Sequence, residues 1–249
     1  MANNQAFVEN KIAVSVVLPA YNEADKLDGA VSQISQALNE AKYTHEIVIA
    51  EDGSTDGTAE HAEELTQKYQ FVRHIHRDKR LGRGTALNNA FRQCNGEVLV
   101  YMDLDLATNL KSLKPLVDAI EVEGFDFSTG SRMLPQSKVE RSLRRSISSK
   151  SYNFLVRIIL GSKVRDHQCG FKAFKREPLL SLLDEVEATH WFWDTEVLVR
   201  AHRHNLRIKE IPVEWRSGKG TKVNYVKDSS SMFGQVMKLW WKLKIKRKA

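Results

Sequence analysis

Residues 98–105 read VLVYMDLD, a largely apolar run that ends in two acids, Asp103 and Asp105. The run predicts a buried strand whose carboxyl end carries both carboxylates, and ligands bind at this end of the strands in open α/β sheets. Two acids this close repel each other unless a cation lies between them, and their oxygen ligands suit Mg²⁺ or Mn²⁺. An isolated Asp-x-Asp is also compatible with a solvated loop after a core strand. Other motifs in the chain are therefore needed to distinguish a cation site from such a loop.

Strands and amphipathic helices alternate around this run, from residue 12 to residue 130, which is typical of a mostly parallel sheet flanked by helices. Leu27, Val31, Ile34 and Leu38 recur at helical spacing and mark the buried face of the first helix. We expect an α/β fold with strands at 14–18, 46–50, 72–75, 97–102 and 125–129, and with later helices at 58–69, 83–93 and 112–120.

The second half of the chain is less regular. It contains a long basic and amphipathic stretch, a glycine-containing turn, a helix near 194–204 and a strand at 208–213. No linker rich in proline, glycine or serine separates the two halves, so we expect residues 12–225 to form one domain. We expect residues 1–11 to be a flexible N-terminus and residues 226–249 to be a basic amphipathic C-terminal helix.

The composition indicates a sizeable core and an anionic partner. The 249 residues are 42% hydrophobic and carry a formal net charge of +7, which favours nucleic acid, a phosphorylated substrate or an anionic membrane surface. Cys94 and Cys169 have neither the spacing of metal ligands nor the density of a disulfide scaffold. No apolar run reaches the roughly 20 residues of a spanning helix, and the N-terminus lacks the pattern of a signal peptide. We therefore expect a cytoplasmic protein.

Side chains suited to nucleotide binding also follow the first two strands. Tyr21 and Glu23 come directly after the first strand, where a ring stacks on a base and a carboxylate accepts from a base or ribose. Asp52 follows the second strand and suits a uracil imide or a ribose. Taken singly, these segments are equally compatible with a helix cap at Asn22 and a tight turn at Gly53. Three strand ends that carry such groups on one sheet edge favour a ligand site.

The order of these motifs resembles the signature of family 2 glycosyltransferases with the GT-A fold. The matching segments are VVLPAYNE at 16–23, IAEDGSTDGT at 49–58, GRGTALN at 82–88 and DLD at 103–105. Segments of the second half resemble the dolichyl-phosphate hexose synthases of the mannose and glucose branches: GSR at 130–132, DHQCGFKAF at 166–174, WDTE at 193–196 and IPV at 211–213. The resemblance implies a Rossmann-like GT-A domain with a nucleotide-sugar half at 12–132 and an acceptor half at 133–225.

The resemblance also implies roles for individual residues. The nucleoside pocket would be lined by Pro19, Tyr21, Glu23, Ala50 and Asp52. The cation and the donor diphosphate would be held by Asp103, the backbone of Leu104, and Asp105, with Arg132 nearby. Two positions depart from the family pattern. Ala107 stands where the mannose branch often has a metal-coordinating Gln, and Glu51 replaces the more common first Asp of the paired acids.

The implied reaction moves a hexose, with inversion, from a nucleotide-diphosphate sugar to dolichyl or polyprenyl phosphate. UDP-glucose is the favoured donor, and GDP-mannose is the alternative. A lipid phosphate is already ionised at neutral pH, so it requires cations beside the donor rather than a general base. Arg216 and Lys222 are the candidate catalytic cations, together with Lys219 and Arg144. Each of them is also compatible with a solvated surface charge.

Other interpretations of the charged residues remain open at this point. Arg83 lies between two glycines before a predicted helix, a favourable place for a phosphate but also for a flexible turn. If the acceptor were a glycan hydroxyl, Asp194 or Glu196 would serve as the general base. A non-enzymatic alternative is a basic RNA- or membrane-binding module. Because no aromatic RNA-binding signature is present, we expect no nucleic-acid partner.

Two basic segments carry apolar residues at helical spacing. One set lies within residues 141–160 and consists of Leu143, Ile147, Phe154 and Ile158. The other lies near the end of the chain and consists of Phe233, Val236, Met237, Trp240 and Leu243. Such a stripe either packs against the domain or docks on an anionic bilayer. Two of them favour peripheral attachment to the cytoplasmic face of a membrane, with a separate membrane anchor protein as a candidate partner.

Overall fold

A computed structural model describes residues 11–216 and 225–245. Its strands are β1 Val14–Ala20, β2 His45–Glu51, β3 Val72–Ile75, β4 Val98–Met102, β5 Phe127–Ser131, β6 Lys138–Glu140, β7 Phe171–Lys175, β8 Ile208–Pro212 and β9 Glu214–Arg216. Its α-helices are α1 Leu27–Glu40, α2 Thr58–Lys68, α3 Arg83–Gln93, α4 Leu113–Glu121, α5 Leu143–Leu160, α6 Arg176–Leu183, α7 Trp193–Arg203 and α8 Tyr225–Ile245. Short 3-10 helices span Ala24–Lys26 and Leu110–Ser112.

The main sheet has seven strands in the order β3-β2-β1-β4-β7-β5-β8, and β6 pairs separately with β9. Every pairing in the main sheet is parallel except those of β7, which runs antiparallel to both β4 and β5. Met102 at the end of β4 pairs with Phe171 at the start of β7. The residues just before β7 therefore lie at the same sheet edge as the carboxyl ends of β1, β2 and β4.

Helices cover both faces of the sheet, which explains why β4 is apolar along its whole length. Val16 and Val100 point to the face that α1 and α4 cover. Val17 and Tyr101 point to the opposite face, which α3, α6 and α7 cover. Because both sets are buried, the run at 98–102 shows no alternation of apolar and polar residues.

The predicted α/β architecture is confirmed. The first four strands have bounds within two residues of the expected ones, and α3 spans the expected residues 83–93. Neither β7 nor α6 is predicted from the sequence, which indicated a glycine-containing turn in this part of the chain. β7 reads FKAFK, and its inner lysine, Lys172, is fully buried. The pairing of β7 with strands distant in sequence makes it a central strand despite this charge.

The two basic segments form α5 and most of α8, which pack together beside α7. Their shared core contains Val156 and Leu160 of α5, Val199 of α7, and Val236 of α8. The stripe near the C-terminus is divided, because Val236 is buried whereas Phe233 is exposed. Among the residues that the structure describes, no helix has both the length and the apolar character that a membrane crossing requires. Residues 1–10 lie outside the described part.

Candidate active site

Asp103 and Asp105 lie where β4 ends, at the edge shared by the carboxyl ends of the parallel strands. The backbone turns there, since Leu106 has a φ of +45° and the Ala107 N–H donates to Oδ1 of Asp105 at 3.1 Å. The Asp103 N–H donates to the carbonyl oxygen of Gly170 at 3.2 Å. Asp105 is exposed and Asp103 is half-buried. The turn thus presents both carboxylates at one end of the strand.

This turn fits a hard divalent cation. A small cavity of about 10 Å³ is lined by Asp103, Asp105 and Trp215, among others, which is close to the space that one water-sized sphere requires. Burial raises the pKa of Asp103, and although Arg83 opposes this effect, the charges of Asp105 and Asp194 add to it. A cation between the two carboxylates would relieve their repulsion, and Mg²⁺ and Mn²⁺ accept such oxygen ligands.

A network of buried charges lies behind Asp103. Arg83 donates to Oδ1 of Asp103 at 3.0 Å and to Oδ2 of Asp194 at 2.7 Å, and it also contacts the Tyr101 hydroxyl. Lys172 donates to Oδ1 of Asp194 at 2.6 Å and to a backbone carbonyl oxygen. Two cations therefore balance two carboxylates, of which Asp194 is buried and Asp103 is half-buried. Such a network fixes the orientation of its members, so it positions the Asp103 carboxylate.

Asp194 and Glu196, the alternative general bases, are both engaged in ion pairs at the start of α7. Burial by itself would raise the pKa of Asp194, but Lys172 and Arg83 together lower it. Glu196 pairs with Arg200 at 2.7 Å and accepts from two backbone N–H groups. A general base must take up a proton readily. Neither carboxylate has the surroundings of one, which disfavours a glycan hydroxyl as acceptor.

Asp52, at the end of β2, holds the loop that leads into α3. Its two carboxylate oxygens accept from the N–H groups of Leu81 at 2.9 Å and Gly82 at 2.7 Å. The N–H of Gly84 donates to the carbonyl oxygen of Thr189 at 2.8 Å. The N–H groups of Leu81, Gly82 and Gly84 therefore donate to acceptors of the protein itself. A phosphate was predicted at this position, before the start of α3. The Arg83 side chain, expected near the same phosphate, points instead into the charge network.

Tyr21 and Glu23 lie after β1 beside two cationic side chains. The guanidinium of Arg80 lies 3.7 Å from the centroid of the Tyr21 ring, on a face that a base would use for stacking. Glu23 pairs with Lys26 at 2.7 Å. A nucleoside that stacks on this face of Tyr21 would therefore displace Arg80 or be sandwiched beside it.

The other residues expected to contact the nucleotide lie at the same edge. Pro19 and Ala50 are register partners near the ends of β1 and β2. Leu104 is buried between the two acids that follow β4. The fold thus places the ends of β1, β2 and β4, which carry every predicted nucleotide contact except Arg83, along one edge.

Arg132 follows β5 and is clamped by Asp166. Its Nε and Nη2 donate to the two carboxylate oxygens at 2.7 and 2.9 Å, and its backbone N–H donates at 2.9 Å. Burial alone would raise the pKa of Asp166, but Arg132 lowers it to about 2. The Arg132 guanidinium also lies 5.4 Å from the ring centroid of Trp215. Because Trp215 lines the cavity of Asp103 and Asp105, Arg132 is held next to the candidate cation site.

Two of the four candidate acceptor cations, Arg216 and Arg144, lie within the described residues. Arg216 ends β9, and its exposed side chain pairs with Glu140 at 3.1 Å. Arg144 is exposed on α5. Lys219 and Lys222 lie outside the described residues. The two described candidates thus lie on different elements, β9 and α5.

Comparison with known proteins identifies the family. A family model described as Glycosyl transferase family 2 matches residues 15–183. The chain belongs to glycosyl transferase family 2. Glycosyltransferase AglD of Haloferax volcanii is 45% identical to it over 237 residues, which are 94% of this chain and 38% of that protein. Dolichyl-phosphate beta-glucosyltransferase of Saccharomyces cerevisiae is 31% identical over 244 residues, which are 90% of this chain and 73% of that protein. The chain thus spans well under half the length of AglD.

Solved structures share the fold of this family 2 glycosyltransferase. Glucosyl-3-phosphoglycerate synthase from Mycobacterium tuberculosis in complex with UDP has a TM-score of 0.70 and 22% identity, covering 92% of this chain and 79% of that one. The same enzyme with Mn²⁺, UDP and phosphoglyceric acid has a TM-score of 0.68 and 20% identity, covering 90% and 76%. The likeness shows the GT-A fold.

Several residues of the site in this family 2 glycosyltransferase were given no individual role from the sequence. Among them are Arg80, Tyr101, Gly170 and Lys172. A lysine between Phe171 and Ala173 is a usable signal, because a buried lysine requires an anionic partner. The other three have no local signal, since their contacts depend on where β4, β7 and the loop before α3 lie relative to one another.

Proposed function

We propose that this family 2 glycosyltransferase moves a hexose from a nucleotide-diphosphate sugar to dolichyl or polyprenyl phosphate with inversion, giving a lipid-phosphate sugar for protein glycosylation. UDP-glucose is the favoured donor and GDP-mannose the alternative. The observation that carries the proposal is the pair Asp103 and Asp105 at the sheet edge, where Arg83 bonds to Asp103 and Arg132 lies beside Trp215 of the same cavity. Relatives named dolichyl-phosphate beta-glucosyltransferase support the acceptor, and neighbours bound to UDP support the donor.

Asp103 and Asp105 would hold Mg²⁺ or Mn²⁺ in this proposal. The presence of Mn²⁺ with UDP in a structural neighbour supports it. When bound, the cation would offset the negative charge that builds on the departing diphosphate. Ala107 offers no side-chain ligand, so diphosphate and water oxygens would complete the coordination. The pair of Arg83 with Asp103 keeps one carboxylate turned towards the donor.

An open groove beside α5 suits an amphiphilic acceptor. Its volume is about 760 Å³, and Met133 in its lining directly follows Arg132. The lining combines positive and apolar side chains: Lys150, Arg157, Arg165, Phe154 and Leu155. An oxygen of the lipid phosphate would bond to the anomeric carbon as the bond from that carbon to the donor diphosphate breaks. Cations that hold the ionised phosphate in line with the leaving group would replace a general base.

The proposed reaction can be tested with a panel of radiolabelled UDP- and GDP-sugars and dolichyl phosphate. Assays would contain Mn²⁺, Mg²⁺ or a chelator. We expect a lipid product that is labile to mild acid, forms best from UDP-glucose and disappears with the chelator. Label that passes to soluble sugars but not to dolichyl phosphate would overturn the acceptor. RNA binding without cation-dependent donor binding would overturn the proposed reaction altogether.

The exposed face of α5 supports attachment to the cytoplasmic face of an anionic membrane. Leu143 and Ile147 are 83% and 65% exposed, and Phe154 and Ile158 are 60% and 64% exposed on the same helix. Trp241 on α8 is 62% exposed. Basic residues lie beside this apolar face, and α8 has Lys242 and Lys244 in its last turn. Apolar burial at the lipid interface and attraction to anionic lipids act together.

Sedimentation with vesicles tests the membrane proposal. The protein should cosediment with vesicles that contain phosphatidylserine at low salt, and less with neutral vesicles. Ile147→Glu with Ile158→Glu should abolish cosedimentation. Val122→Glu is the matched control, because Val122 is 76% exposed but follows α4 on another part of the surface. Equal cosedimentation of the α5 variant and the control would overturn the role of α5, whereas a protein that does not cosediment at all would overturn direct attachment and favour a separate membrane anchor protein.

A further inference from the structure

A second group of metal-ligating side chains lies away from Asp103 and Asp105. Glu51, His74 and His76 each offer a ligand atom, and these atoms lie within 4.8 Å of one another. Glu51 ends β2, His74 lies in β3 and His76 follows β3, so pairing of the two parallel strands brings them together. We refer to these three residues as the histidine cluster.

The sheet order separates the histidine cluster from the Asp103 and Asp105 pair. β1 lies between β2 and β4, and β3 lies one strand further out. At about 4.8 Å per strand, β2 is roughly 10 Å and β3 roughly 14 Å from β4. One ion cannot serve both groups, because bonds from a metal to its ligands are about 2 Å long. The histidine cluster instead adjoins Asp52, the residue after Glu51.

His74 is buried and has one ring nitrogen without a partner. Its side chain is 7% exposed, and its Nδ1 lies 3.2 Å from Oε2 of Glu63. Its Nε2 is buried and has no hydrogen-bond partner among the described residues. Because buried polar atoms in folded proteins nearly always have partners, this nitrogen points to a ligand that residues 11–216 and 225–245 do not supply.

Each histidine of the cluster has an outer carboxylate on the ring nitrogen that faces away from the cluster. In His76, Nδ1 faces Oε2 of Glu51 at 2.6 Å, and Nε2 lies 3.3 Å from Oδ1 of the outer carboxylate, Asp78. In His74, the outer carboxylate is Glu63, 3.2 Å from Nδ1. Metal-binding histidines typically have such a carboxylate on the nitrogen that faces away from the metal, since it fixes the tautomer and the ring orientation.

We propose that the histidine cluster binds a divalent cation of the zinc class through Nε2 of His74, Nδ1 of His76 and the carboxylate of Glu51. Two neutral imidazoles and one carboxylate suit Zn²⁺ or Co²⁺, whereas Mg²⁺ prefers oxygen ligands alone. The ion would replace the proton shared by Glu51 and His76, and that proton would pass to solvent. The half-exposed ring of His76 gives the ion a way in.

Binding at the histidine cluster would have a structural consequence for the nucleoside side of the site. Glu51 is fully buried and accepts from the backbone N–H of Ser54. Asp52 lies between Glu51 and Ser54 in the sequence, and its carboxylate accepts hydrogen bonds from the loop before α3. An ion bound to Glu51 would therefore restrain residues 51–54 and raise the stability of the folded chain, because it binds the folded state preferentially.

Cobalt is a suitable probe for the histidine cluster. The full chain, stripped of metal with a chelator, should develop visible absorption bands of a nitrogen-ligated site when Co²⁺ is added. Zn²⁺ should abolish these bands and raise the melting temperature. A variant with Asp103→Asn and Asp105→Asn should keep both responses, which separates this site from the proposed diphosphate site. Absence of the bands and of any zinc-dependent rise in melting temperature would overturn the proposal.

Variants of the histidine cluster sharpen the test. Asp78→Asn should weaken Co²⁺ binding about 10- to 100-fold, as expected for loss of an outer carboxylate. His74→Gln and His76→Gln should weaken it more, and His76 is half-exposed, so its replacement leaves the core intact. His204→Gln is the control, because His204 forms a surface pair with Glu185 at 3.0 Å. Unchanged Co²⁺ affinity in His76→Gln would contradict the assignment.

Discussion

Asp103 and Gly170 approach each other so closely that no side chain fits between them. A Cβ added at Gly170 would lie 1.8 Å from Oδ2 of Asp103. The contact arises because β7 runs antiparallel to β4, which places the residue before β7 at the carboxyl end of β4. The missing side chain at position 170 therefore lets the Asp103 carboxylate keep its orientation.

Gly170→Ala should displace the Asp103 carboxylate and lower sugar transfer about 100-fold, the effect expected when a reacting group is misplaced by about 1 Å. When the transfer rate is measured against Mn²⁺ concentration, the same variant should require more Mn²⁺ to reach half of its maximal rate. Gly29→Ala is the control, since a Cβ there would meet only a flexible side chain at 3.8 Å. A normal rate and normal Mn²⁺ dependence in Gly170→Ala would contradict this interpretation.

Asp105→Ala should bind lipid acceptor but lose sugar transfer by at least about 100-fold, because charge on the departing diphosphate would no longer be offset. Acceptor binding is measured with dolichyl phosphate in vesicles or detergent, and sugar transfer is measured separately with the transfer assay. Asp184→Asn, which removes a surface acid paired with Arg92 at 2.6 Å, should leave both unchanged. Near-normal turnover of Asp105→Ala would exclude the proposed cation site.

Lys172→Met should destabilise the fold by roughly 3–5 kcal/mol, because it leaves the buried Asp194 carboxylate with one cation fewer. Urea unfolding followed by circular dichroism measures the change. Lys175→Met is a close control, since Lys175 lies on the same strand but is exposed. A loss of stability no larger than that of the control would show that Lys172 contributes little to the charge network.

The stability of the fold should decrease on acidification because of His167. Burial lowers the pKa of this imidazole to about 3, whereas the unfolded chain has a histidine pKa of about 6.5. Between these values the unfolded state binds the extra proton, so stability falls as pH decreases, by up to about 1.4 kcal/mol per pH unit.

His167→Gln should flatten this dependence between pH 6 and about pH 4. The comparison uses the slope of unfolding free energy against pH, so a change in absolute stability does not affect it. His167 bonds to Asn153 and Ser162 at 2.8 Å each, and glutamine retains hydrogen-bonding capacity there. The exposed His204→Gln variant should keep the slope of the original chain. Identical slopes in all three proteins would refute the effect.

Much of the strand and helix order follows from local sequence. Apolar runs and helical spacing predicted β1 to β5 and α3, because these patterns depend on residues only a few positions apart. The acids after β4 and the groups after β1 and β2 were placed at one edge by the rule that parallel strands end on the same side. The contacts of Asp52 were not predictable, since its partners, Leu81 and Gly82, belong to a distant loop.

Short-range patterns in the sequence are sufficient to predict an α/β sheet with Asp103 and Asp105 at the carboxyl end of a strand, because periodicity and turn residues act over short distances. Which charged side chains pair with one another, in contrast, depends on contacts between distant parts of the chain. Arg83 bonds to Asp194, 111 residues away, and β7 enters between β4 and β5. These pairings depend on sheet order and strand direction, which arise from the burial of whole elements rather than from any local pattern.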